Sequence, residues 1–280
     1  MDLEAARAPH DNRLYESHYV TVTDPAGGRA LWLRHTSLHG KPSLWVTWFD
    51  PAPQQSRVEL DEPLSTTPWP SCSLGTMTAT GATGELGTSW DLTWQPLAPP
   101  LRYLPSDAMY DKPVPRSNGA AVVPHATTTG RYGETSLDGW HAVVGHNWGR
   151  EHAEHWCWLH AVLPDGWLDV VLVRVRVGPV LTPWIAGGGL CVDGTLRRTR
   201  PGRVKLTEDG DLTRARIPTT RGHVDVEVHG RHWVEWDYAS VSGPGRDVRN
   251  CSVADATVTT DDGRSWQLTG TVAVEHGHPS

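Results

Sequence analysis

Hydrophobic and polar positions alternate with a period of two along most of this chain, and helical periodicity is nearly absent. Alternating runs bounded by Gly, Pro and Asp are typical of half-buried β-strands. The alternation predicts strands in the first half at 18–24, 30–37, 43–49, 57–61, 73–80, 88–95, 122–132 and 140–148. In the second half it predicts strands at 154–162, 166–177, 183–193, 195–199, 216–228, 231–240, 249–260 and 265–275. We therefore expect a nearly all-β protein.

The two halves of the chain also show a weak internal repeat. Residues 31–50 match residues 157–175, because each segment has a Trp-Leu strand, a polar turn with Gly and a second apolar strand. Residues 88–96 likewise resemble residues 230–238. A duplicated β unit predicts two similar barrels or sandwiches.

The repeat predicts a domain boundary near residue 150, with domains at 1–150 and 151–280. This boundary falls inside residues 141–162, which hold five of the fifteen His and three of the fifteen Trp. Ligand sites are common at domain interfaces. We therefore expect one site shared by the two units.

Strand parity assigns the side chains of this stretch to faces, if it is read as two strands joined by a turn. The first strand would present on one face Trp140, Ala142, Val144, His146 and Trp148, and the second Glu154, Trp156, Trp158 and His160. A face that mixes indole, imidazole and carboxyl is a poor solvent face, since indole is costly to expose and carboxyl costly to bury unpaired. It suits a lined pocket. The alternative is that the indoles are core and Glu154 is hydrogen-bonded at a strand end.

Glu154 is the best candidate for a general acid, because an apolar surround disfavours the ionised carboxylate and can keep it protonated. Glu16, just before the first predicted strand, is a weaker candidate for acid–base chemistry. Glu235 and Asp237, which share a predicted face with Trp233, are weaker too. These three carboxyls are more typical of structural ion pairs or edge positions.

No metal site is expected in the histidine-rich stretch. The sequence EHAEH differs from the helical HExxH motif of zinc proteases, and strand parity separates His155 from Glu154 and His160. Motifs of the GxSxG, P-loop and GxGxxG types are also absent from the sequence. Nucleophilic, phosphoryl and dinucleotide chemistry therefore lack their usual sequence support.

Composition and charge narrow the classes of partner. A formal charge of −7 argues against a nucleic-acid surface, which needs a clustered basic excess. The longest apolar runs are too short to cross a bilayer, and the N-terminus lacks the basic start and apolar core of a signal peptide. The four cysteines form no CxxC pair, so we expect reduced thiols in a cytoplasmic protein. The sequence does not predict the oligomeric state.

Three segments carry a family resemblance: residues 15–36, 140–161 and 248–258. They resemble the superfamily of tandem lipocalin-like proteins that includes the carotenoid 1,2-hydratases (hydroxyneurosporene synthases), tocopherol cyclases, AttH-like proteins and the fungal decalin Diels–Alderases. The resemblance implies two lipocalin-like antiparallel β-barrel domains packed in tandem. It also implies a hydrophobic small molecule bound in or between them, with no metal or organic cofactor.

The turn GHNWG at 145–149 refines this resemblance. Hydratase-like members often have Asp-His-x-Trp at this position, whereas tocopherol-cyclase-like members have a Lys-Asn-Trp-Gly pattern. Gly145 stands where the hydratase pattern has its acid. The cyclase-like branch is therefore the better match, through Asn147, Trp148 and Gly149.

The resemblance suggests two kinds of chemistry. Protonation of an alkene creates a carbocation, which indole faces stabilise while they exclude water. A pericyclic cyclisation instead needs shape and one or two hydrogen-bond donors to polarise a carbonyl, for which His146 and Asn147 are the candidates. The Pro-rich segment at 96–121, which shows no alternation, would then close the pocket as a flap. The expected substrate-binding residues are Asn147, Trp148, Trp156, Trp158, His160, Trp32 and Tyr238.

These observations together predict a cofactor-free cyclase, isomerase or hydratase of a hydrophobic isoprenoid or polyketide-like molecule, with Glu154, His146 and Glu16 as the catalytic candidates. A non-catalytic carrier of such a molecule is the first alternative. A carbohydrate-binding module is the second, and it would carry its Trp side chains on an exposed sheet face.

Overall fold

The computed structural model describes residues 13–62, 69–110, 116–241 and 244–280, and within them nearly all regular structure is β. Helix α1 (Asp107–Tyr110) is a single turn. The strands of the first sheet are β1 (Tyr15–Thr23), β2 (Ala30–Leu38), β3 (Lys41–Asp50), β4 (Ala52–Glu59), β5 (Ser71–Cys72), β6 (Gly75–Thr78), β7 (Gly81–Leu86), β8 (Thr88–Pro96), β9 (Leu101–Arg102), β10 (Ser117–Tyr132), β11 (Thr135–Ser136) and β12 (His141–Gly149).

The remaining strands form a second large sheet and a small ribbon, and all strand pairs are antiparallel. Strands β15 (Arg176–Val177) and β16 (Val180–Leu181) make up the ribbon. The strands of the second sheet are β13 (His155–Leu163), β14 (Gly166–Arg174), β17 (Ile185–Val192), β18 (Thr195–Arg198), β19 (Lys205–Asp209), β20 (Leu212–Pro218), β21 (His223–His229), β22 (Val234–Tyr238), β23 (Arg246–Thr260) and β24 (Ser265–Pro279).

The two sheets have the same strand order. The first runs β4-β3-β2-β1-β12-β10-β8-β7-β6 and ends with one additional strand, β5, and the second runs β18-β17-β14-β13-β24-β23-β21-β20-β19. In both, the first strand pairs with the last, and the long strand before the last carries two register shifts. The internal repeat is therefore present in the topology. The sequence segments that suggested it are not equivalent, because 31–50 covers β2 and β3 whereas 157–175 covers β13 and β14.

Each sheet curls around its own apolar core. Alternate side chains of β1, β2 and β12 meet inside the first sheet, where Val20, Leu33 and Val144 are fully buried. The second sheet closes further, because a bridge between Thr199 and Thr219 joins the end of β18 to the end of β20. Alternation thus places one face of each strand in a core and leaves the other face for a second layer.

Several strand predictions need correction. Strands β7 and β19 were not predicted, and the predicted strand 216–228 is two strands joined by a turn in which Gly222 has a φ of +76°. The Pro-rich segment 96–121 is more ordered than expected, since it contains β9, α1 and the start of β10. Its residues 111–115 lie outside the described residues. The described part of the chain contains no helix long and apolar enough to span a membrane.

Residues 141–162 do not form a hairpin, contrary to the sequence interpretation. Strand β12 pairs with β1 and β10 in the first sheet, whereas β13 pairs with β14 and β24 in the second. The parity within β12 is as predicted. The stretch is therefore the connection between the two sheets, and the proposed division at residue 150 into separate domains stays a prediction.

Candidate functional site

The outer faces of the two sheets pack against each other and form a buried aromatic layer. Tyr19 on β1 and Trp158 on β13 meet edge to face, with ring centroids 5.4 Å apart. Val143 and Ala273 complete this cluster. These side chains belong to the faces that are not used by the two barrel cores, so the layer is an interface between the sheets.

A row of buried, hydrogen-bonded polar side chains crosses this interface. Asp169 on β14 is fully buried, and its Oδ1 accepts a hydrogen bond of 2.6 Å from the Tyr103 hydroxyl. Its Oδ2 lies 3.1 Å from Nδ1 of His160. Asp169 and His160 are directly opposite each other in the antiparallel register of β13 and β14, so strand pairing alone places them side by side.

Tyr103 comes from the Pro-rich segment and reaches from the first sheet to the second. The segment is anchored there by Arg198, which donates a hydrogen bond of 2.7 Å to the Arg102 carbonyl. Gly187 on β17 permits this approach, since a Cβ at that position would lie 2.6 Å from the Tyr103 carbonyl oxygen. The absence of a side chain at residue 187 therefore lets the segment cover the site.

Burial controls the protonation of the tyrosine and histidine side chains around Asp169. Burial, followed by the Asp169 charge, raises the pKa of Tyr19 and Tyr103 well above 10, so both phenols remain hydrogen-bond donors. Burial, with repulsion from His160, lowers the pKa of His125 to about 4 and also lowers the pKa of His141. Nε2 of His125 and Nδ1 of His141 are buried and have no hydrogen-bond partner among the described residues. Neutral imidazoles with unsatisfied buried nitrogens are suited to a polar ligand group.

A second polar group stabilises another part of the interface. Glu275 on β24 accepts hydrogen bonds from Trp156 Nε1 at 3.0 Å and from the Tyr238 hydroxyl at 2.9 Å. The Arg34 guanidinium lies 3.8 Å from the centroid of the Tyr238 ring. Trp32 packs nearby against the ring of Trp236, at 5.9 Å. These side chains join the two sheets, and both carboxylate oxygens of Glu275 are paired, which is typical of a structural role. The buried Arg34 Nη1 and Trp236 Nε1 have no hydrogen-bond partner among the described residues.

Glu16 and His146 lie on the other side of the first sheet, inside its core. His146 Nε2 is 2.7 Å from Glu16 Oε1, and both side chains are buried. The His146 ring stacks on His18 at 3.9 Å and lies 4.5 Å from Trp148, which in turn stacks on Tyr110. These two catalytic candidates are therefore close together but face away from the interface.

The prediction of an apolar environment for Glu154 is wrong. Glu154 precedes β13 at the rim of the interface, and its carboxylate is 2.7 Å from an Arg176 nitrogen and 3.5 Å from an Arg246 nitrogen. The hydrogen bond from Arg176 is the largest influence on its pKa and lowers it. Glu154 is therefore an anion at neutral pH, because two arginines replace the apolar surround that parity suggested.

The sequence-predicted residues thus fall into separate places. Glu16, His146 and Trp148 lie inside the first sheet; Trp32, Trp156, Trp158, His160 and Tyr238 lie at the interface. Asn147 also points outward from β12, and its Oδ1 lies close to Gly119. Sequence reasoning missed Tyr19, Tyr103, Asp169 and Glu275. A lone acid in the apolar run WLDVVLV was the available signal for Asp169.

Two sets of described side chains have donor atoms spaced as metal ligands. The first is Glu16, His18 and His146, and the second is Glu208, His276 and His278, with ligand atoms within 4.8 Å of one another in each set. None of the fifteen Trp is fully exposed. The exposed indole face that a carbohydrate-binding module needs is therefore not found among them.

Comparison with known proteins identifies the class of fold. No family model matches the chain. Two uncharacterized proteins from strains of Mycobacterium tuberculosis are 28% identical over 308 residues, which covers 94% of this chain and 85% of theirs.

Solved structures cover nearly the whole chain at low identity. CghA crystallised with Sch210972 has a TM-score of 0.64 at 10% identity and covers 96% of this chain and 89% of its own. Kievitone hydratase from Nectria haematococca has a TM-score of 0.64 at 9% identity, covering 95% and 89%. An AttH-like protein from Nitrosomonas europaea has a TM-score of 0.55 at 15% identity, covering 97% and 94%. The predicted resemblance is confirmed at the level of the fold, which is all-β and lipocalin-like.

Proposed function

We propose that this protein catalyses a cyclisation, isomerisation or hydration of a hydrophobic small molecule held between its two sheets, at Tyr103, Asp169 and His160. The observation that carries the proposal is the fully buried Asp169, whose two oxygens bind an imidazole and a phenol. A carboxylate that binds one ring nitrogen of an imidazole and leaves the other for proton transfer is an arrangement used in general acid–base catalysis. The Asp169–His160 pair lies in a layer of aromatic rings that suits an apolar ligand.

The geometry divides the work among the side chains. Asp169 holds Nδ1 of His160, so Nε2 is the nitrogen available to exchange a proton with a substrate. The phenol of Tyr19, which stays protonated, can donate a hydrogen bond to a carbonyl or a developing oxyanion. The Trp158 ring can stabilise a cationic carbon through its π face and exclude water from it.

The named neighbours support this class of activity without defining the substrate. One of the solved structures is a hydratase of kievitone by its name, and another holds the small molecule Sch210972. The family resemblance of residues 15–36, 140–161 and 248–258 favours an isoprenoid or polyketide-like molecule. The competing function is a carrier that holds such a molecule in the same layer without transforming it.

The test incubates the purified protein with metabolite extracts. Chromatography with mass spectrometry then identifies the compounds that are consumed and formed, by retention time and mass. A product of unchanged mass indicates cyclisation or isomerisation, and the gain of one water indicates hydration. We expect His160→Gln and Asp169→Asn to lower turnover by about 10²–10⁴-fold. The matched control His229→Gln, at an exposed strand position, should retain it.

Two results separate the alternatives. Glu154→Gln should retain turnover, because its carboxylate is ion-paired with arginines rather than held as an acid. The variant His146→Gln tests whether the His146–Glu16 pair inside the first sheet takes part in catalysis. If it removes turnover and His160→Gln does not, the catalytic centre lies in the first core. If a ligand binds and is recovered with unchanged mass and unchanged retention time, the protein is a carrier.

A further inference from the structure

A cluster of ligand-type side chains lies inside the second sheet, on the side away from the interface. Glu208 on β19 and His276 and His278 on β24 contribute one carboxylate oxygen and two imidazole nitrogens within 4.8 Å of one another. His276 and His278 share a face of β24 with Val272 and Val274, which belong to the core of this sheet. The proposed reaction uses none of the three ligand-type side chains.

The spacing of the donor atoms fits a small cation. Glu208 Oε2 lies 3.3 Å from His276 Nδ1 and 3.1 Å from His278 Nε2. Ligand atoms around a tetrahedral zinc ion, with bonds of about 2.0–2.2 Å, lie roughly 3.3–3.5 Å apart. Both Glu208–imidazole distances are therefore close to those between zinc ligands, and the two imidazole nitrogens lie within 4.8 Å of each other.

The outer nitrogen of each imidazole also has a partner. His276 Nε2 is 2.9 Å from the Thr213 hydroxyl, and His278 Nδ1 is 3.4 Å from Nδ1 of His155. Metal-binding histidines commonly hold the nitrogen away from the ion by such an outer contact, which sets the tautomer and the ring orientation. When an ion is bound, both imidazoles can therefore keep their proton on the outer nitrogen and present a lone pair towards the ion.

The position of the cluster leaves a route for an ion. His276 is fully buried, whereas 40% of the His278 side chain and 23% of the Glu208 side chain are exposed. The partly exposed Glu208 carboxylate therefore lies on the open side of the cluster.

We propose that Glu208, His276 and His278 bind a divalent ion of the zinc type. Three protein ligands leave the fourth tetrahedral position for water. Strand β19 ends the strand order of its sheet, and β24 lies four places along it. The ion therefore ties a terminal strand to the middle of the sheet across the barrel interior, and its binding stabilises the second sheet.

The test titrates the full-length, tag-free protein with Zn²⁺ by isothermal titration calorimetry after treatment with a chelator. We expect one saturable site in the unmodified protein and a higher Tm with Zn²⁺. His278→Gln and Glu208→Gln, at partly exposed positions, should abolish that site. Thr213→Val should weaken it by about 10–100-fold, as loss of an outer partner does. His223→Gln is the matched control, because His223 lies beside the Asp225 carboxylate without a second imidazole.

Circular dichroism checks that each variant is folded, and histidine ring NMR of the unmodified protein gives an independent reading. Zn²⁺ should shift two imidazoles together at one equivalent. The absence of saturable Zn²⁺ binding in the unmodified protein would overturn the proposal and leave an ordinary histidine–carboxylate pair. Zn²⁺ binding that survives both His278→Gln and Glu208→Gln would also overturn it, since the ion would then lie elsewhere.

Discussion

Among single residues, Gly145 gives a reason for the missing acid in the segment GHNWG, which lies within β12 rather than in a turn. The Tyr19 ring lies directly over Gly145, and a Cβ there would fall well inside van der Waals contact with its Cζ and hydroxyl. The hydratase-like pattern would place an aspartate at this position. Tyr19, from the neighbouring strand, occupies this space instead, and the proposed function assigns its phenol the role of hydrogen-bond donor.

We predict that Gly145→Ala destabilises the protein by about 1–3 kcal/mol, the usual cost of overpacking a buried site. Denaturant unfolding measures this change. The double variant Tyr19→Ala with Gly145→Ala should show a clear coupling free energy, because the clashing ring is gone. Additive effects of the two substitutions would contradict the proposed contact.

His35 supplies a pH dependence at the same scale. Its side chain is buried in the first sheet, and burial lowers its pKa from 6.5 to about 4. The unfolded chain therefore binds more protons than the folded chain between these values. The stabilising contribution is fully present above pH 6.5 and is lost as the pH falls towards 4.

Between pH 7 and pH 5, His35→Gln should lose less free energy of unfolding than the unmodified protein, by about 1–2 kcal/mol. Denaturant unfolding at the two pH values gives the comparison. Burial also lowers the pKa of His125 and His152, so a residual pH dependence should remain in the variant. Identical losses in both proteins would mean that His35 keeps its ordinary pKa.

At the scale of elements, the segment between β8 and β10 is the part that can cover the site. It supplies Tyr103, and it contacts the second sheet where Gly187 leaves room for its backbone. Strand β9 and helix α1 give it regular structure at two points. The segment is held by the Tyr103–Asp169 and Arg198–Arg102 hydrogen bonds and by the buried Leu101, so it must release these contacts before it opens for a ligand.

We predict that Gly187→Ala displaces this segment and lowers ligand affinity and turnover together. The added methyl would lie 2.6 Å from the Tyr103 carbonyl, so the segment must move to accommodate it. Tyr103→Phe removes only the hydroxyl and should lower turnover with a smaller effect on affinity. Tryptophan fluorescence titration and turnover assays measure both. Wild-type affinity in Gly187→Ala would indicate that the segment does not cover the ligand.

At the scale of the whole molecule, the interface joins two sheets that repeat the same strand order. Each sheet has a core, but Ala30, Trp32, Trp45 and Phe49 of the first sheet belong to the same buried cluster as the core of the second sheet. A further layer of buried aromatic rings lies between the sheets. If the chain divides into domains near residue 150, each half should fold around its core but expose this layer. Exposed aromatic patches of this kind promote association.

We therefore expect residues 1–150 and 151–280, expressed separately, to show β-sheet circular dichroism and to aggregate. Mixed or co-expressed, they should form a one-to-one complex that size-exclusion chromatography detects. The substitution Trp158→Ala in the second half should weaken the complex, because it removes the ring that meets Tyr19. Halves that remain unfolded, alone and together, would mean that the chain is a single folding unit.

Alternation along the chain determined much of this structure. It placed most of the longer strands, although it missed β7 and β19. It also assigned Trp140, Ala142, Val144, His146 and Trp148 to one face, because side-chain direction in a strand follows from position alone. It was weaker where a turn interrupts a continuous run, as at 219–222, since the residues on both sides keep the same period. The resemblance of short motifs was sufficient for the fold class.

Only the tertiary structure decided which strands are neighbours. Alternation assigns a residue to a face but not to a partner, so it could not place His160 opposite Asp169 or bring Tyr103 across from the first sheet. The same limit explains Glu154, whose parity was read as burial among indoles although Arg176 and Arg246 reach it from elsewhere in the fold. Local patterns determined the elements, and long-range packing determined the chemistry of the site.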